Sequence, residues 1–371
     1  MRTTILRSSE AVVIGQGLTG LFCAWSLARK GYKVDVIGRG TPASQMSSGC
    51  ISDLGSTKAM EAIGMDRSEA FLALIDAGSS FLELMKAEGL DLIEPTDILI
   101  DGHGMGHQAS LCQKWTLTKK DISDAAVVHL VLPADNGSLL KASLMAGSKD
   151  IEVKASPLPS SPDECEMRER VLRAASNSEA DLVIVPPLFG LKNYRSFMEL
   201  LERGDRTQVR EYYAPLGLPG KRVVQAMRNA GAREEVAIHD MDVRKVIIKS
   251  GRVKRLGVRS GLREFDLDVQ ALIHCGGGLV GGGLGVSGTS AVDPLDTFDT
   301  ISVGTGSNKY SVLGEGLRTD GRLHLHQNGA RVANALAAGS ILPGLNLPSG
   351  AGMGPCLATA LLAAEEVGNG R

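Results

Sequence analysis

The stretch Ala11-Val12-Val13-Ile14-Gly15-Gln16-Gly17-Leu18-Thr19-Gly20 decides the fold of this chain. Its apolar first part is typical of a buried parallel strand. Apolar residues then recur at helical spacing as far as Ala28, and residues 33–37 form a second apolar run. Strand, glycine-rich turn, helix and strand have the length of a βαβ unit, so we expect an α/β, Rossmann-like FAD/NAD(P)-binding fold.

Each glycine of this G-x-G-x-x-G motif has its own task. Gly15 makes the tight turn, Gly17 lets a phosphate approach the backbone, and Gly20 lets the helix pack against the strand. The helix begins at Leu18 and Thr19 with unpaired N–H groups and a partial positive charge. These five residues therefore form a predicted dinucleotide site. An ordinary strand–turn–helix with chance glycines is the alternative.

The end of the second predicted strand lacks the acidic residue that usually binds the adenosine ribose. Gly38 stands near that position, and Arg39 follows it. NAD is therefore disfavoured, and FMN competes with FAD as the ligand. Arg39 is expected to contact a phosphate, with a solvated loop cation as the alternative.

A small polar loop follows at Ser47, Ser48 and Gly49. Its hydroxyl and N–H groups are candidates to bind a phosphate or the edge of a flavin. A helix N-cap is an equally ordinary interpretation of either serine.

The later part of the chain returns to the same kind of fold. We expect a three-strand meander from residues 236–238, 245–249 and 255–258, and then a strand at 271–274 that stops at Gly276 and Gly277. This layout is typical of flavoproteins with two dinucleotide-binding motifs. His274 is either a base or a buried strand residue.

The carboxyl-terminal segment repeats the pattern of strand, glycine-rich loop and helix. A predicted strand ends at Gly339 and Ser340, and a loop from Gly344 through 348–351 to Gly352 and Gly354 leads into a helix near Cys356. Backbone N–H groups of residues 352–356 are predicted to stabilise the negative charge of a reduced flavin. A close-packed turn without a ligand is the alternative.

The middle of the chain predicts an inserted α/β domain. Helical periodicity covers residues 56–90, and strands are expected at 125–132 and 181–185. We therefore assign 1–60 and 230–371 to a discontinuous flavin-binding domain and 61–229 to an inserted substrate-side domain.

Two polar segments of this middle part are functional candidates. The loop 101–107 carries His103 and His107, but its glycines oppose the helix that a metal site would need, so an active-site loop and a surface loop stay open. Lys221 and Arg222 either receive an anionic substrate or are surface cations. No catalytic base can be assigned from these patterns.

Composition narrows the classes of function. The 371 residues carry 40 Lys and Arg against 42 Asp and Glu, which gives no argument for nucleic acid or an anionic membrane. The six Cys form no C-x-x-C pair, so iron–sulfur and structural zinc sites are not expected and no metal is assigned. No run of about 18 apolar residues occurs, so we expect no membrane span and a cytoplasmic location.

The chain resembles the B subunit of anaerobic glycerol-3-phosphate dehydrogenase almost end to end. The segments that carry the resemblance are 15–20, 47–49, 186–191, 287–295, 337–342 and 349–356. The first and last are shared with flavoproteins at large, and the middle ones are more specific.

This resemblance implies a flavin subunit, assigned FMN in that family, which works beside an FAD-containing catalytic subunit. The complex oxidises sn-glycerol 3-phosphate to dihydroxyacetone phosphate. An iron–sulfur, membrane-anchoring subunit passes the electrons to quinone, which implies a peripheral position at the inner face of the cell membrane. The alternatives are a stand-alone FAD-dependent enzyme of the succinate dehydrogenase/fumarate reductase type and a non-catalytic structural subunit.

Overall fold

The computed structural model describes residues 4–5, 9–52, 54–55, 57–147, 151–158, 164–177, 179–202, 207–303, 311–345 and 352–369. The chain divides into two compact units. The first unit consists of Met1–Ser44, Ser52–Leu84 and Ala226–Arg371, and the second of Gln45–Ile51 and Met85–Gln225. Residues 61–84, which the sequence assigns to the inserted domain, therefore lie in the first unit.

The helices are α1 (Leu18–Arg29), α2 (Lys58–Glu61), α3 (Arg67–Ala87), α4 (Lys119–Ser123), α5 (Ala134–Gly147), α6 (Glu164–Asn177), α7 (Leu191–Glu202), α8 (Leu218–Arg233) and α9 (Met353–Asn369). Short 3₁₀ turns cover Ala43–Met46 and Ser311–Gly314. None of the helices in the described part of the chain is long and apolar enough to cross a membrane.

The strands are β1 (Thr4–Ile5), β2 (Ser9–Ile14), β3 (Val34–Gly38), β4 (Leu92–Ile93), β5 (Leu99–Ile100), β6 (Gly106–His107), β7 (Cys112–Gln113), β8 (Val127–Pro133), β9 (Glu152–Leu158), β10 (Leu182–Val185), β11 (Gln208–Glu211), β12 (Ala237–Asp240), β13 (Asp242–Lys249), β14 (Arg252–Ser260), β15 (Arg263–His274), β16 (Gly285–Ser287), β17 (Ser290–Val292), β18 (Thr300–Ser302), β19 (Glu315–Leu317), β20 (His324–Gln327) and β21 (Ala330–Ala337).

The first unit contains a parallel sheet around the predicted βαβ unit. Strands β12, β3, β2 and β15 are neighbours in that order and run parallel, and β21 adds to β15, also parallel. Strand β2 and helix α1 bury nearly all of their apolar residues. A parallel sheet with buried faces is the architecture that the apolar runs predict, so the fold class is confirmed.

The long strand β15 joins an antiparallel meander to the parallel sheet. Its residues 263–268 are antiparallel to β14, which is antiparallel to β13, and its residues 269–274 are parallel to β2. The meander therefore consists of β13, β14 and β15. The prediction that residues 236–238 begin it was wrong, because β12 joins the edge of the parallel sheet beside β3.

The two ends of the polypeptide fold together in the first unit. Strand β21 lies beside β15, which also pairs with β2, so β2 and β21 are separated by one strand. Helix α9 packs along α1, and the Tyr32 hydroxyl after α1 donates to the Val367 carbonyl at 3.2 Å. The amino-terminal nucleotide motif and the carboxyl-terminal helix are thus parts of one layer.

The second unit has its own parallel sheet, with the order β11, β10, β8, β9. Strands β8 and β10 are close to the predicted runs at 125–132 and 181–185. Apolar side chains of these strands pack with those of α5 in a buried cluster. This unit is of α/β type, as expected for the middle of the sequence, and the predicted domain bounds 61–229 stay a prediction.

A buried ion pair ties the second unit together. Arg222 is 1% exposed, and its Nη1 and Nη2 atoms lie 2.7 Å from the two carboxylate oxygens of Glu211. Its Nε donates to the Phe189 carbonyl, and its guanidinium lies 3.6 Å over the Tyr194 ring. Both interpretations of Arg222 as an exposed or substrate-binding cation were therefore wrong, because all of its charge is compensated internally.

We predict that Arg222→Met lowers the free energy of unfolding by about 3–5 kcal/mol, because it leaves the Glu211 carboxylate buried without a partner. Denaturant titration measures this change. The matched control is Lys221→Met, the exposed neighbour, which should stay within about 0.5 kcal/mol of the parent. Equal losses in both variants would contradict the assignment.

Candidate functional site

The glycine-rich turn between β2 and α1 is shaped by close backbone packing. Gly15 has φ +108°, and a Cβ on it would lie 2.1 Å from the Cys275 carbonyl oxygen. A Cβ on Gly20 would lie 1.9 Å from the carbonyl oxygen of Gly15. Only glycine fits at these two positions, so the predicted roles in the turn and in helix packing agree with the geometry.

The start of α1 has the features of a phosphate cradle. Gly17 is its N-cap, with extended backbone, and a Cβ there would meet nothing nearer than the Ser44 Oγ at 3.4 Å. The Leu18 N–H donates to this hydroxyl at 3.0 Å, and the first turn of α1, which is fully described, contains no acidic residue. The Leu18 amide thus already has a partner, while the glycine at the N-cap and the positive helix end fit the phosphates of a nucleotide.

The turn at Gly339, after β21, lies against Thr19 in the first turn of α1. Gly339 follows β21 with φ +80°, and a Cβ on it would lie 2.5 Å from the Thr19 Oγ1. The Gly339 N–H donates to the Thr359 Oγ1 of α9 at 3.0 Å, and the Thr19 side chain hydrogen-bonds the Cys356 thiol. Burial raises the pKa of Cys356 to about 11, so this thiol is neutral.

The predicted glycines after β15 lie in the same group of loops. The Gly278 N–H donates to the Ser340 hydroxyl at 3.0 Å, which joins the loop of Gly276 and Gly277 to the end of β21. Thus Gly15, Gly17, Leu18, Thr19, Gly20, Gly276, Gly277, Gly339 and Ser340 are brought together in the first unit.

His274 contacts the loop of Gly276 and Gly277 through its side chain. It is buried at the end of β15, and its Nδ1 accepts a hydrogen bond from the Gly276 N–H at 3.2 Å. Burial lowers the pKa of His274 to about 4, although the charge of Asp293 opposes the shift. A buried, neutral imidazole with its lone pair already engaged is a structural support, as the second sequence interpretation expects.

Other predicted residues have different partners. Arg39 is exposed and pairs with Asp242 at 2.9 Å. The Gly354 N–H donates to the Ser52 carbonyl at 3.0 Å, and its role towards reduced flavin stays a prediction. Gly352 precedes α9 and is also bonded within the protein. The predicted loop residues 348–351 lie outside the described part of the chain.

Ser47, Ser48 and Gly49 belong to the second unit. The Gly49 N–H donates to the Ser47 hydroxyl, and the Cys50 N–H donates to the Ser48 hydroxyl. A Cβ on Gly49 would lie 2.6 Å from the Pro219 carbonyl. These bonds form a compact turn, and the cofactor role of the three residues stays a prediction.

The histidine loop of the second unit is a hairpin organised by Asp101. One carboxylate oxygen of Asp101 accepts the N–H groups of His103 and Met105, and the other lies 2.8 Å from the His107 Nε2. Burial would raise the pKa of Asp101, but the hydrogen bonds from His107 and the two amides lower it. The ionised carboxylate therefore holds the Nε2 proton of His107, whose ring stacks on Tyr213 at 4.4 Å.

This geometry decides between the interpretations of the loop. His103 is exposed and donates its backbone N–H to Asp101, whereas His107 contacts Asp101 through its imidazole. Among the residues that the structure describes, no group of His, Cys, Asp and Glu side chains is arranged to bind a metal ion. An oriented, partly exposed imidazole with Nδ1 as an acceptor can take up a proton from a ligand.

Sequence reasoning missed several residues of the nucleotide loops. Ser44 and Thr359 each bind a loop amide, and Gln16 fills the space beside Gly38. A Thr inside the apolar helix α9 was a signal, because a buried hydroxyl needs a partner. Ser44 and Gln16 had no signal in the sequence, since their roles depend on the path of the chain after β3.

Residues 10–173 match the model of the family described as FAD dependent oxidoreductase (DAO). The matched segment includes the complete βαβ unit and most of the middle of the chain. The predictions of a flavin-dependent oxidoreductase and of a flavin cofactor are confirmed by this match, and the flavin of that family is FAD.

Solved structures with a similar fold include 3-ketosteroid Δ1-dehydrogenase from Sterolibacterium denitrificans, in complex with 1,4-androstadiene-3,17-dione. It is 10% identical, with a TM-score of 0.51 over 99% of this chain and 100% of that one. The 3-ketosteroid-Δ4-(5α)-dehydrogenase from Rhodococcus jostii RHA1 is 13% identical, with a TM-score of 0.41 over 99% and 97% of the two chains. At such identities the likeness concerns the fold alone.

We predict that Gly339→Ala weakens FAD binding at least about 10-fold, because its Cβ would displace Thr19 from the start of α1. Titration of flavin-free protein, followed by flavin fluorescence, gives the dissociation constant. Gly329→Ala is the matched control, since Gly329 has φ +77° but open space around its Cα. The same affinity in both variants would show that the close approach to Thr19 is unimportant.

A second prediction concerns the loss of stability at low pH through His274. The folded pKa of His274 lies near 4, below the ordinary value of 6.5. The unfolded chain therefore binds this proton first, and stability that is complete above pH 6.5 declines as the pH falls towards 4, by about 3 kcal/mol. His274→Gln should remove this part of the pH dependence of the free energy of unfolding, whereas His103→Gln should retain it. An unchanged slope in His274→Gln would contradict the buried neutral imidazole.

Proposed function

We propose that this chain is the flavin-carrying subunit of a glycerol-3-phosphate dehydrogenase of the anaerobic type. It takes part in the oxidation of a CH–OH group of sn-glycerol 3-phosphate, and a partner iron–sulfur subunit passes the electrons to quinone. The resemblance at residues 186–191 and 287–295 supports this choice, because these segments are more specific than the glycine motifs. The partner subunits and the peripheral membrane position are part of the proposal.

One observation carries the flavin part of this proposal. Thr19 contacts the positions of Gly339 and Cys356, so the amino-terminal phosphate cradle and the carboxyl-terminal loops form one surface. Both ends of the chain are therefore available to hold a single nucleotide. Among the described residues, the side-chain atoms nearest to a Cβ on Gly17 would be the Ser44 Oγ, at 3.4 Å, and the Pro42 Cβ, at 3.6 Å, both at ordinary contact distance.

Oxidation of a CH–OH group requires the removal of a hydride from carbon and of a proton from oxygen. When bound, the flavin accepts a hydride, that is, two electrons and one proton, from the carbinol carbon. The hydroxyl proton needs a separate acceptor. In the second unit, Asp101 fixes the tautomer of His107 and leaves its Nδ1 as an acceptor.

The alternative enzyme class, of the succinate dehydrogenase/fumarate reductase type, binds a dicarboxylate with His and Arg. Arg222 is unavailable for such a role, because its guanidinium is already paired with Glu211. The non-catalytic alternative predicts a protein that takes up no flavin.

The test begins with the visible spectrum of the purified chain and mass analysis of the cofactor that acid releases. We expect flavin bands and FAD or FMN. Anaerobic addition of sn-glycerol 3-phosphate to the chain with its co-purifying partners should bleach these bands, and a quinone should restore them.

Three results would contradict the proposal. A colourless protein that binds neither FMN nor FAD would favour the structural subunit. Turnover of the isolated chain with fumarate would favour the stand-alone reductase. Flavin bands that sn-glycerol 3-phosphate leaves unchanged in the assembled complex would reject the substrate.

A further inference from the structure

The end of β3 is the place where dinucleotide folds bind the adenosine ribose through a carboxylate. Here β3 ends at Gly38, and a Cβ on Gly38 would lie 3.0 Å from both the Cγ and the backbone N of Gln16. Such a contact is tighter than nearly all Cβ contacts in proteins. The carboxylate is therefore absent from the sequence, and the Gln16 side chain also occupies the space beside its position.

The amide of Gln16 is fixed by an arginine. Gln16 is 8% exposed, and its Oε1 accepts a hydrogen bond of 2.7 Å from the Nη2 of Arg228. An arginine only donates, so this bond sets the orientation of the amide and leaves Nε2 as a donor. Gln16 also stands between Gly15 and Gly17, so its side-chain amide projects from the glycine-rich turn that is predicted to bind phosphate.

Among the described residues, no carboxylate compensates the charge of Arg228. Arg228 is partly buried, and among the described residues its side chain contacts the neutral Gln16 and no carboxylate. Arg39, close by in the sequence after Gly38, differs because it pairs with Asp242. A partly buried guanidinium beside a phosphate cradle, without an acidic partner, is suited to an anionic or oxygen-rich ligand.

We propose that Gln16 and Arg228 together replace the missing carboxylate and form the contact for the adenosine half of FAD. Both groups act as donors, so the ribose hydroxyls and the adjoining phosphate serve as acceptors. This inference rests on the proposed flavin site. It identifies the chemical class that the subsite recognises: an adenylate, which FAD contains and FMN lacks.

The two flavins provide the test, because only FAD reaches this subsite. Flavin-free full-length protein is titrated with FAD and, separately, with FMN, and flavin fluorescence gives each dissociation constant. Gln16→Ala and Arg228→Gln should each raise the dissociation constant for FAD at least about 10-fold and that for FMN less than about 2-fold. The double variant should be little weaker than either single variant, since the two residues act as a unit.

Arg233→Gln is the matched control, because Arg233 is exposed on the same helix, α8. It should leave both constants unchanged. Thermal melting of the flavin-free variants checks that each folds like the parent. Unchanged FAD binding in the variants, or equal weakening of FAD and FMN, would overturn the inference and leave the flavin site intact. A parent protein that binds neither flavin would overturn the proposed function as well.

Discussion

The close approach of Thr19 to Gly339 is the constraint on which the rest of the nucleotide site depends. It places the turn after β21 against the first turn of α1, two segments separated by more than 300 residues. The contact is possible because β15 lies between β2 and β21 and presents the carboxyl ends of all three strands at one edge. In open α/β sheets this edge is where ligands bind. Any side chain at Gly339 would push the two loops apart.

The interior behind these loops is kept electrically neutral. Burial raises the pKa of the Cys356 thiol, and a hydrogen bond with Cys23 together with burial raises that of the Cys275 thiol. His274 is neutral for the opposite reason, since burial lowers its pKa. Because the thiols of Cys275 and Cys356 are neutral, neither of them cancels the partial positive charge at the start of α1. The same neutrality explains why these titratable groups support the site without being reactive.

The sequence predicted the parts of this site that follow from local rules. The roles of Gly15, Gly17 and Gly20 could be predicted because the strand, turn and helix are consecutive in the sequence. Buried parallel strands could be predicted because they are continuous apolar runs. Pairings between distant segments were harder to predict. Strand β12 was placed in the meander because the spacing of apolar residues does not show which strand it pairs with, and in the structure it pairs with β3. Arg222 was taken for a surface or substrate cation because its partner Glu211 lies in a different element, and an isolated Arg beside Lys221 resembles any helix start. Gln16, an ordinary x of the motif, had no signal at all.

Protection from hydrogen exchange tests the central claim most directly, because it reports on each end of the chain separately. Amide exchange of residues 15–22 and of residues 352–360 is compared by mass spectrometry in flavin-free and FAD-loaded protein. If both ends hold one cofactor, FAD should slow exchange in the two segments together and over the same range of FAD concentration. Protection of the amino-terminal segment alone would show that the carboxyl-terminal loop only packs against the site, and the account would be wrong.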